Sequence, residues 1–164
     1  MKSILFKAAD RGTADYGWLK PNYYFSFAQY HNPAKVHFGL LRVLNDDFID
    51  GGGAFSTHPH DNMEIVTIPF SGALKHKDST GGEGVIKAGD IQIMSAGTGV
   101  QHSEANASAT EPVTLFQIWV FPKERNIKPR SPVERRANGR HLVEDIDAIA
   151  ILFDHALQSA HLPL

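Results

Sequence analysis

The feature that most constrains this chain is the steady interruption of short apolar runs by turn residues. Strand-like runs are read at Tyr23–Phe27, Phe38–Leu44, Glu64–Phe70, Ala73–His76, Gly84–Ile86, Ile91–Met94 and Thr114–Phe121. Between them stand Gly51-Gly52-Gly53, Ser71-Gly72, Gly81-Gly82, Ala88-Gly89-Asp90, Gly97-Thr98-Gly99 and Glu111-Pro112. Short runs at fairly even spacing, each closed by turn chemistry, suit an antiparallel sandwich or barrel. No stretch before residue 140 sustains helical periodicity. The body of the chain is expected to be all-β.

Three of the turns have readable mechanics. Lys87-Ala88-Gly89-Asp90 places Gly89 where a tight hairpin wants positive φ. Gly97-Thr98-Gly99 lets the backbone bend sharply, or approach another group closely, just before His102. Ser79-Thr80-Gly81-Gly82 is expected to be an exposed loop tip.

At 164 residues the chain is long enough to bury a core without staples, and it has no cysteine to form them. Disulfides and thiolate metal sites are therefore excluded, and any metal must sit on His, Asp or Glu. Such an N/O field suits iron, manganese, nickel, copper or zinc. A formal net charge of -2 supplies no general attraction to nucleic acid or to a membrane surface. In MKSILFKAAD the apolar run is cut at Lys7, too early for a secretory leader, and no segment reaches the length of a membrane span. Together with the absence of cysteine, this gives a cytoplasmic protein as the expectation.

Residues 1–121 are taken as one barrel domain. Residues 122–142 change character: the stretch from 122 to 140 holds three prolines and seven Lys or Arg, and without interleaved aromatics it reads as a solvated basic connector. The C-terminal extension, 143–164, is apolar again. Ala148–Phe153 suits a buried strand, while Val143, Ile146, Ile149, Phe153 and Leu157 equally mark one helical face, so periodicity leaves both open.

The chemistry is concentrated in two short stretches. In His58-Pro59-His60, an extended backbone projects both imidazoles to one face. Proline donates no ladder hydrogen bond, so this stretch belongs at a sheet edge or a strand end. His102-Ser103-Glu104 repeats the geometry with one imidazole and one carboxylate. Two such pairs on neighbouring strands inside a barrel make a site of three imidazoles and a carboxylate. That set leaves open positions on a five- or six-coordinate metal, although a closed structural site also uses four protein ligands. With nine histidines in the chain, either pair alone says little.

The surrounding frame says more. Gly52 precedes His58 by six positions, Glu64 follows His60 by four, and Gly72 closes the strand; Gly89, Gly99, His102 and Asn106 follow. This resembles the two motifs of the cupin superfamily, Gly-x5-His-x-His-x3-Glu ending near a Gly, and Gly…Gly-x2-His-x3-Asn. It departs in the position of Gly72, one residue late, and in Ser95, which stands where proline is expected, with extra residues before Gly99. The implied fold is a jelly-roll-like antiparallel cupin barrel.

The stretches GWLKPNYYFSFAQYHNPAKVHFGLLRVLNDD, HPHDNMEIVTIPFSGALKHKDS, GVIKAGDIQIMSAGTGVQHSE and FQIWVFPKERNIKPR further resemble the pirin family, over roughly residues 10 to 130. The resemblance implies that a single metal, usually iron, is held by His58, His60, His102 and Glu104. It moves the carboxylate from Glu64, the general cupin choice, to Glu104, and leaves Glu64 as an outer or strand-end residue. His76 also matches a family histidine and is read as a satisfied structural residue. His31, His37, His141, His155 and His161 show no ligand spacing. Asp61-Asn62-Met63-Glu64-Ile65 departs from the family's usual sequence and sets a negative charge beside the site mouth. Ile93 replaces a common tryptophan.

Pirins are normally two tandem cupin domains, and the tail DAIAILFDHALQSAHLPL resembles at most the opening strands of a second one. From this a homodimer is expected, with Val143–Leu164 at the interface. For function the resemblance implies two readings. One is a quercetin 2,3-dioxygenase type of oxygenase, in which O2 cleaves a flavonol with release of CO and Glu104 accepts the substrate's proton. The other is a non-catalytic, metal-dependent regulator acting as a transcription cofactor or an enzyme-binding protein. A sugar-modifying cupin, such as an isomerase, is a third and weaker reading. No direct nucleic-acid contact and no membrane contact are expected.

Overall fold

The structure, a computed structural model, describes residues 6–131 and the backbone of residues 133 and 134. The extension from 143 to 164, with its strand-or-helix alternative, lies outside the described residues. Among the described residues, a short 3-10 turn at Ala8–Asp10 is followed by eleven strands: β1 (Gly12–Thr13), β2 (Leu19–Tyr23), β3 (Leu41–Ile49), β4 (Ala54–His60), β5 (Glu64–Ser71), β6 (Ala73–Asp78), β7 (Glu83–Lys87), β8 (Ile91–Ser95), β9 (Val100–Asn106), β10 (Val113–Val120) and β11 (Val133–Glu134). They form two antiparallel sheets, ordered β1-β2-β3-β10-β5-β8-β11 and β4-β9-β6-β7. The all-β cupin expectation is met. Among the described residues no helix is long and apolar enough to cross a membrane.

Alternation sets the two faces of the larger sheet. In β3 every second residue from Leu41 to Ile49 is buried, and β10 keeps the same register with Gln117 opposite Asn45 and Leu115 opposite Asp47. Opposed residues share a face, so Asn45, Asp47, Leu115 and Gln117 look into the space between the sheets. Leu44, Val66, Ile68, Phe116 and Ile118 lie on the opposite face, where Val66 and Ile118 are buried in a cluster with Phe25, Leu41, Ile91 and Val120. Leu19, Ile49, Leu74, Ile86, Val113 and Leu115 close one end of the interior. Ile65, Met94, Ala96 and Val100, with Met63 and Trp119, pack at a second apolar centre. Buried polar groups include Asn45, Asp47, Thr67, His76, His102 and Glu104. Burying so many polar groups is costly, which marks the interior as a place for chemistry rather than for packing alone.

Most expected strands appear, several a residue or two longer than read. Two differ. The aromatic run Tyr23–Phe27 is not a strand: β2 ends at Tyr23, and its buried positions are Leu19, Pro21 and Tyr23. The β-propensity of the aromatics pointed too far along the chain, because alternation begins at Leu19. The run Phe38–Leu44 corresponds to β3, which starts at Leu41 and continues through Asn45-Asp46-Asp47 to Ile49. Those residues are poor strand formers in isolation, yet Asn45 and Asp47 are tolerated where they face a polar interior.

The glycines at turns behave as read. Gly89 has φ 95° in its hairpin. Gly97, at φ 49°, has no room for a Cβ, which would collide with the Ile127 carbonyl oxygen. That contact pins the connector: Thr98 N–H donates to Ile127 O at 2.9 Å, and Arg130 and Ser95 exchange backbone hydrogen bonds of 2.8 and 3.0 Å. Lys123–Asn126 are exposed, but Ile127–Ser131 lie against the barrel and lead into β11 on β8.

Candidate metal centre

The two histidine stretches fall on adjacent strands. β4 is the edge of the four-stranded sheet and ends at His60, so Pro59 sits where its missing N–H does least harm. β9 lies beside it, with His58 directly opposite His102 and His60 opposite Val100. A register shift between Phe55 and His58 re-aims the end of β4. As a result the three imidazoles converge, with ring centroids 4.9 Å apart for His58–His60, 4.4 Å for His58–His102 and 4.8 Å for His60–His102. One nitrogen from each lies within 4.8 Å of the others.

Glu104 is two residues on from His102 and faces the same side. Its carboxylate groups with His102 and His76, again within 4.8 Å. The structure thus brings His58, His60, His102, His76 and Glu104 to one interior surface as two overlapping triads sharing His102. Glu64 is in neither: at the start of β5 it accepts the Ser95 hydroxyl at 2.6 Å, so the serine that departs from the motif has a partner of its own. Arg130 Nε also donates to Ser95 Oγ, at 3.2 Å.

Hydrogen bonds orient these side chains. His58 Nδ1 lies 2.8 Å from the Ser56 carbonyl oxygen, an acceptor only, so Nδ1 carries the proton and Nε2 keeps its lone pair. The Gln117 amide donates to both oxygens of Glu104, at 3.3 and 3.0 Å, and its own oxygen accepts from Trp119 Nε1 at 3.2 Å. Trp119 in turn stands edge-on to His60, centroids 4.8 Å apart. His102 Nε2 is buried and has no hydrogen-bond partner among the described residues.

The electrostatics favour neutral imidazoles. Burial, then the neighbouring His58, lowers His60 to about 4 against the opposing pull of Asp61. Burial and the crowd of His58, His60 and His76 lower His102 to about 3. Neutral nitrogens are the form that ligates a metal. Burial raises Glu104 above the usual carboxylate range, opposed by Gln117, His76 and His58. Asp47 is raised to about 7 by burial, then by Glu104 and Asp46. A pocket of about 360 Å³ opens beside His60, with Pro59, Asp61, Ser79 and Gln101 among its lining residues.

Sequence reasoning missed Asn45, Asp47, Gln117 and Trp119, and treated His76 as merely structural. His76 is satisfied, with Nε2 2.8 Å from Asp78 Oδ2, but it also touches His102 through the two Nδ1 atoms at 3.4 Å. The available signal was the spacing: His76-x-Asp78 and Gln117-x-Trp119 are one-face pairs like the two that were recognised.

Comparison with known proteins places this geometry. The family model described as Pirin matches residues 6–120. Quercetin 2,3-dioxygenase of Escherichia coli (strain K12) is 48% identical over 146 residues, 88% of this chain and 63% of that protein. The putative quercetin 2,3-dioxygenase ZMO1337 of Zymomonas mobilis is 45% identical over 161 residues, 92% of this chain and 68% of that one. The crystal structure of bacterial pirin YhhW from Escherichia coli in complex with nickel(II) is similar at TM-score 0.77 and 49% identity, covering 80% of this chain and 57% of YhhW. The chain spans less than two thirds of the length of the first of these relatives.

Proposed function

Because this chain belongs to the pirin family, we propose that it is a metal-binding cupin whose His58, His60, His102 and Glu104 hold one divalent transition ion, iron(II) in the cell, and that it oxidises a flavonol as a quercetin 2,3-dioxygenase does. The observation that carries this is the convergence of three imidazoles beside a buried carboxylate. The fit to a metal is supported by His102 Nε2: a buried nitrogen without a partner among the described residues is unfavourable unless something fills that role. Three imidazole nitrogens and a carboxylate suit iron, manganese, nickel, copper or zinc, and the relative YhhW is described with nickel(II).

When bound, such an ion supplies Lewis acidity toward a substrate hydroxyl and a redox-active centre for dioxygen. The chain's own residues supply the rest. Glu104, held by Gln117, accepts the hydroxyl proton. Trp119, which packs with Ile65, Met94 and Val100, gives His60 an apolar wall that limits water on that side. The pocket at His60 admits the substrate past Asp61, whose charge disfavours anionic ligands.

The test is CO release from quercetin under air by the metal-loaded protein, with loss of that signal in His58→Ala and Glu104→Ala. Metal binding without CO from any flavonol would favour the regulator reading instead. A homodimer is part of the same proposal. Phe70, 55% exposed, stands against Phe116 on the outer face of the large sheet beside half-buried Ile68, and a second copy would cover this patch. Sedimentation of the wild type and Phe70→Glu distinguishes dimer from monomer. Cell fractionation tests the cytoplasmic location.

A further inference from the structure

The buried hydrogen bonds behind His102 run in one direction and end at a carboxylate. Asp78 closes β6 opposite His102 in the β6–β9 register, and His76 lies opposite Glu104. Asp78 Oδ1 accepts from Thr80 N–H at 2.8 Å, the Thr80 hydroxyl at 2.6 Å and Gly82 N–H at 3.1 Å. Its Oδ2 accepts from the Ser131 hydroxyl and faces His76 Nε2 at 2.8 Å. Burial opposes ionisation here, but the bonds from Ser131, Thr80 and His76 hold Asp78 below the usual carboxylate range. An ionised carboxylate only accepts, so His76 carries its proton on Nε2. His76 Nδ1 then has a lone pair and accepts from His102 Nδ1–H, 3.4 Å away. His102 is left with a bare Nε2, the buried atom without a partner among the described residues.

We infer that Asp78 and His76 are positioning residues that select, through two imidazoles, the His102 tautomer whose Nε2 binds metal, and that Ser131 of the connector is the outer anchor of this relay. The inference rests on the metal-centre reading above. It also explains why His76 is not a fourth imidazole ligand: both of its nitrogens are engaged, by Asp78 and by His102. The loop Ser79–Gly82, read from sequence as a plain exposed tip, holds the carboxylate in place. Gly82 has no room for a Cβ, which would collide with the Asp78 carboxylate and the Ser131 hydroxyl.

The relay makes a directional prediction for Asp78→Asn, a change of one atom. Two backbone N–H groups and the Thr80 hydroxyl require an oxygen at the Oδ1 position. The amide nitrogen is thereby forced toward His76 and donates to its Nε2, while the Ser131 hydroxyl rotates to accept. His76 then carries its proton on Nδ1 and donates to His102 Nδ1, which leaves His102 protonated on Nε2 and unable to ligate through it.

The experiment is 15N-histidine NMR of the metal-free full chain, wild type and Asp78→Asn, paired with nickel(II) titration and a thermal melt of each. Wild-type His102 should be protonated on Nδ1, and the variant on Nε2. The variant should fold and bind nickel(II) about 10- to 100-fold more weakly, the range for loss of an outer partner. A wild-type His102 protonated on Nε2 overturns the relay, as does a folded variant with unchanged tautomer and unchanged nickel affinity. The wild-type measurement decides the question even if the variant does not fold. A wild type that binds no metal but shows the expected tautomer would sink the metal centre and leave the relay standing.

Discussion

His58 lies directly across from His102 in the antiparallel pairing of β4 with β9, their ring centroids 4.4 Å apart. His60, two residues beyond His58 on the same strand, completes the cluster. Strand register thus brings two stretches more than forty positions apart into a single donor set.

Glu104 is the group whose removal should separate chemistry from structure. Glu104→Gln keeps the shape, and Gln117 can reorient to pair with it. The expected outcome is CO release from quercetin reduced by about 100-fold or more, in the range for loss of a general base, with an unchanged circular dichroism spectrum. Wild-type turnover in this variant would remove Glu104 from the proposed proton transfer.

Asp47 gives the fold a pH dependence. Its folded pKa of about 7 lies above its ordinary value of 3.8. Below the lower value both folded and unfolded chains are protonated there, and folding incurs no charge penalty. As pH rises toward 7 the unfolded chain releases the proton first, so stability falls, and the loss is complete above the folded pKa. Asp47→Asn in the metal-free protein should therefore gain on the wild type between pH 5 and pH 8, by roughly 3 kcal/mol at most. Urea melts at the two pH values measure the difference, and parallel behaviour of the two proteins would contradict it.

Asn106, the last residue of the second motif, is a structural clasp. Its amide donates to the carbonyl oxygens of Ile49, Asp50 and Glu111 at 3.1, 3.0 and 2.9 Å, and its oxygen accepts from Ser108 N–H at 2.9 Å. Asn106→Ala strands these groups and should destabilise the fold by about 2 to 3 kcal/mol. The midpoint of denaturant unfolding reports it, and nickel(II) stoichiometry in the folded protein should not change.

What could be read from sequence was what repeats every two residues along one strand. The pairing of His58 with His60, the edge position of Pro59 and the shared face of His102 and Glu104 are all local. β3 was less legible, because Asn45-Asp46-Asp47 looks like turn chemistry until the polar interior it faces is known. The link from His76 to His102 runs across the β6–β9 register, so no local period announces it. Ser95 looks like a flaw in the motif, but its partners Glu64 and Arg130 lie 31 and 35 residues away.

The central claim is that these imidazoles hold a metal, and the most direct measurement is elemental analysis of protein purified without added metal, wild type beside His60→Ala. The wild type should carry close to one transition-metal ion per chain, with iron predominant, while folded His60→Ala should carry almost none. Equal metal content in the two proteins, or a wild type that takes up no ion even when iron(II) or nickel(II) is supplied, would contradict the account.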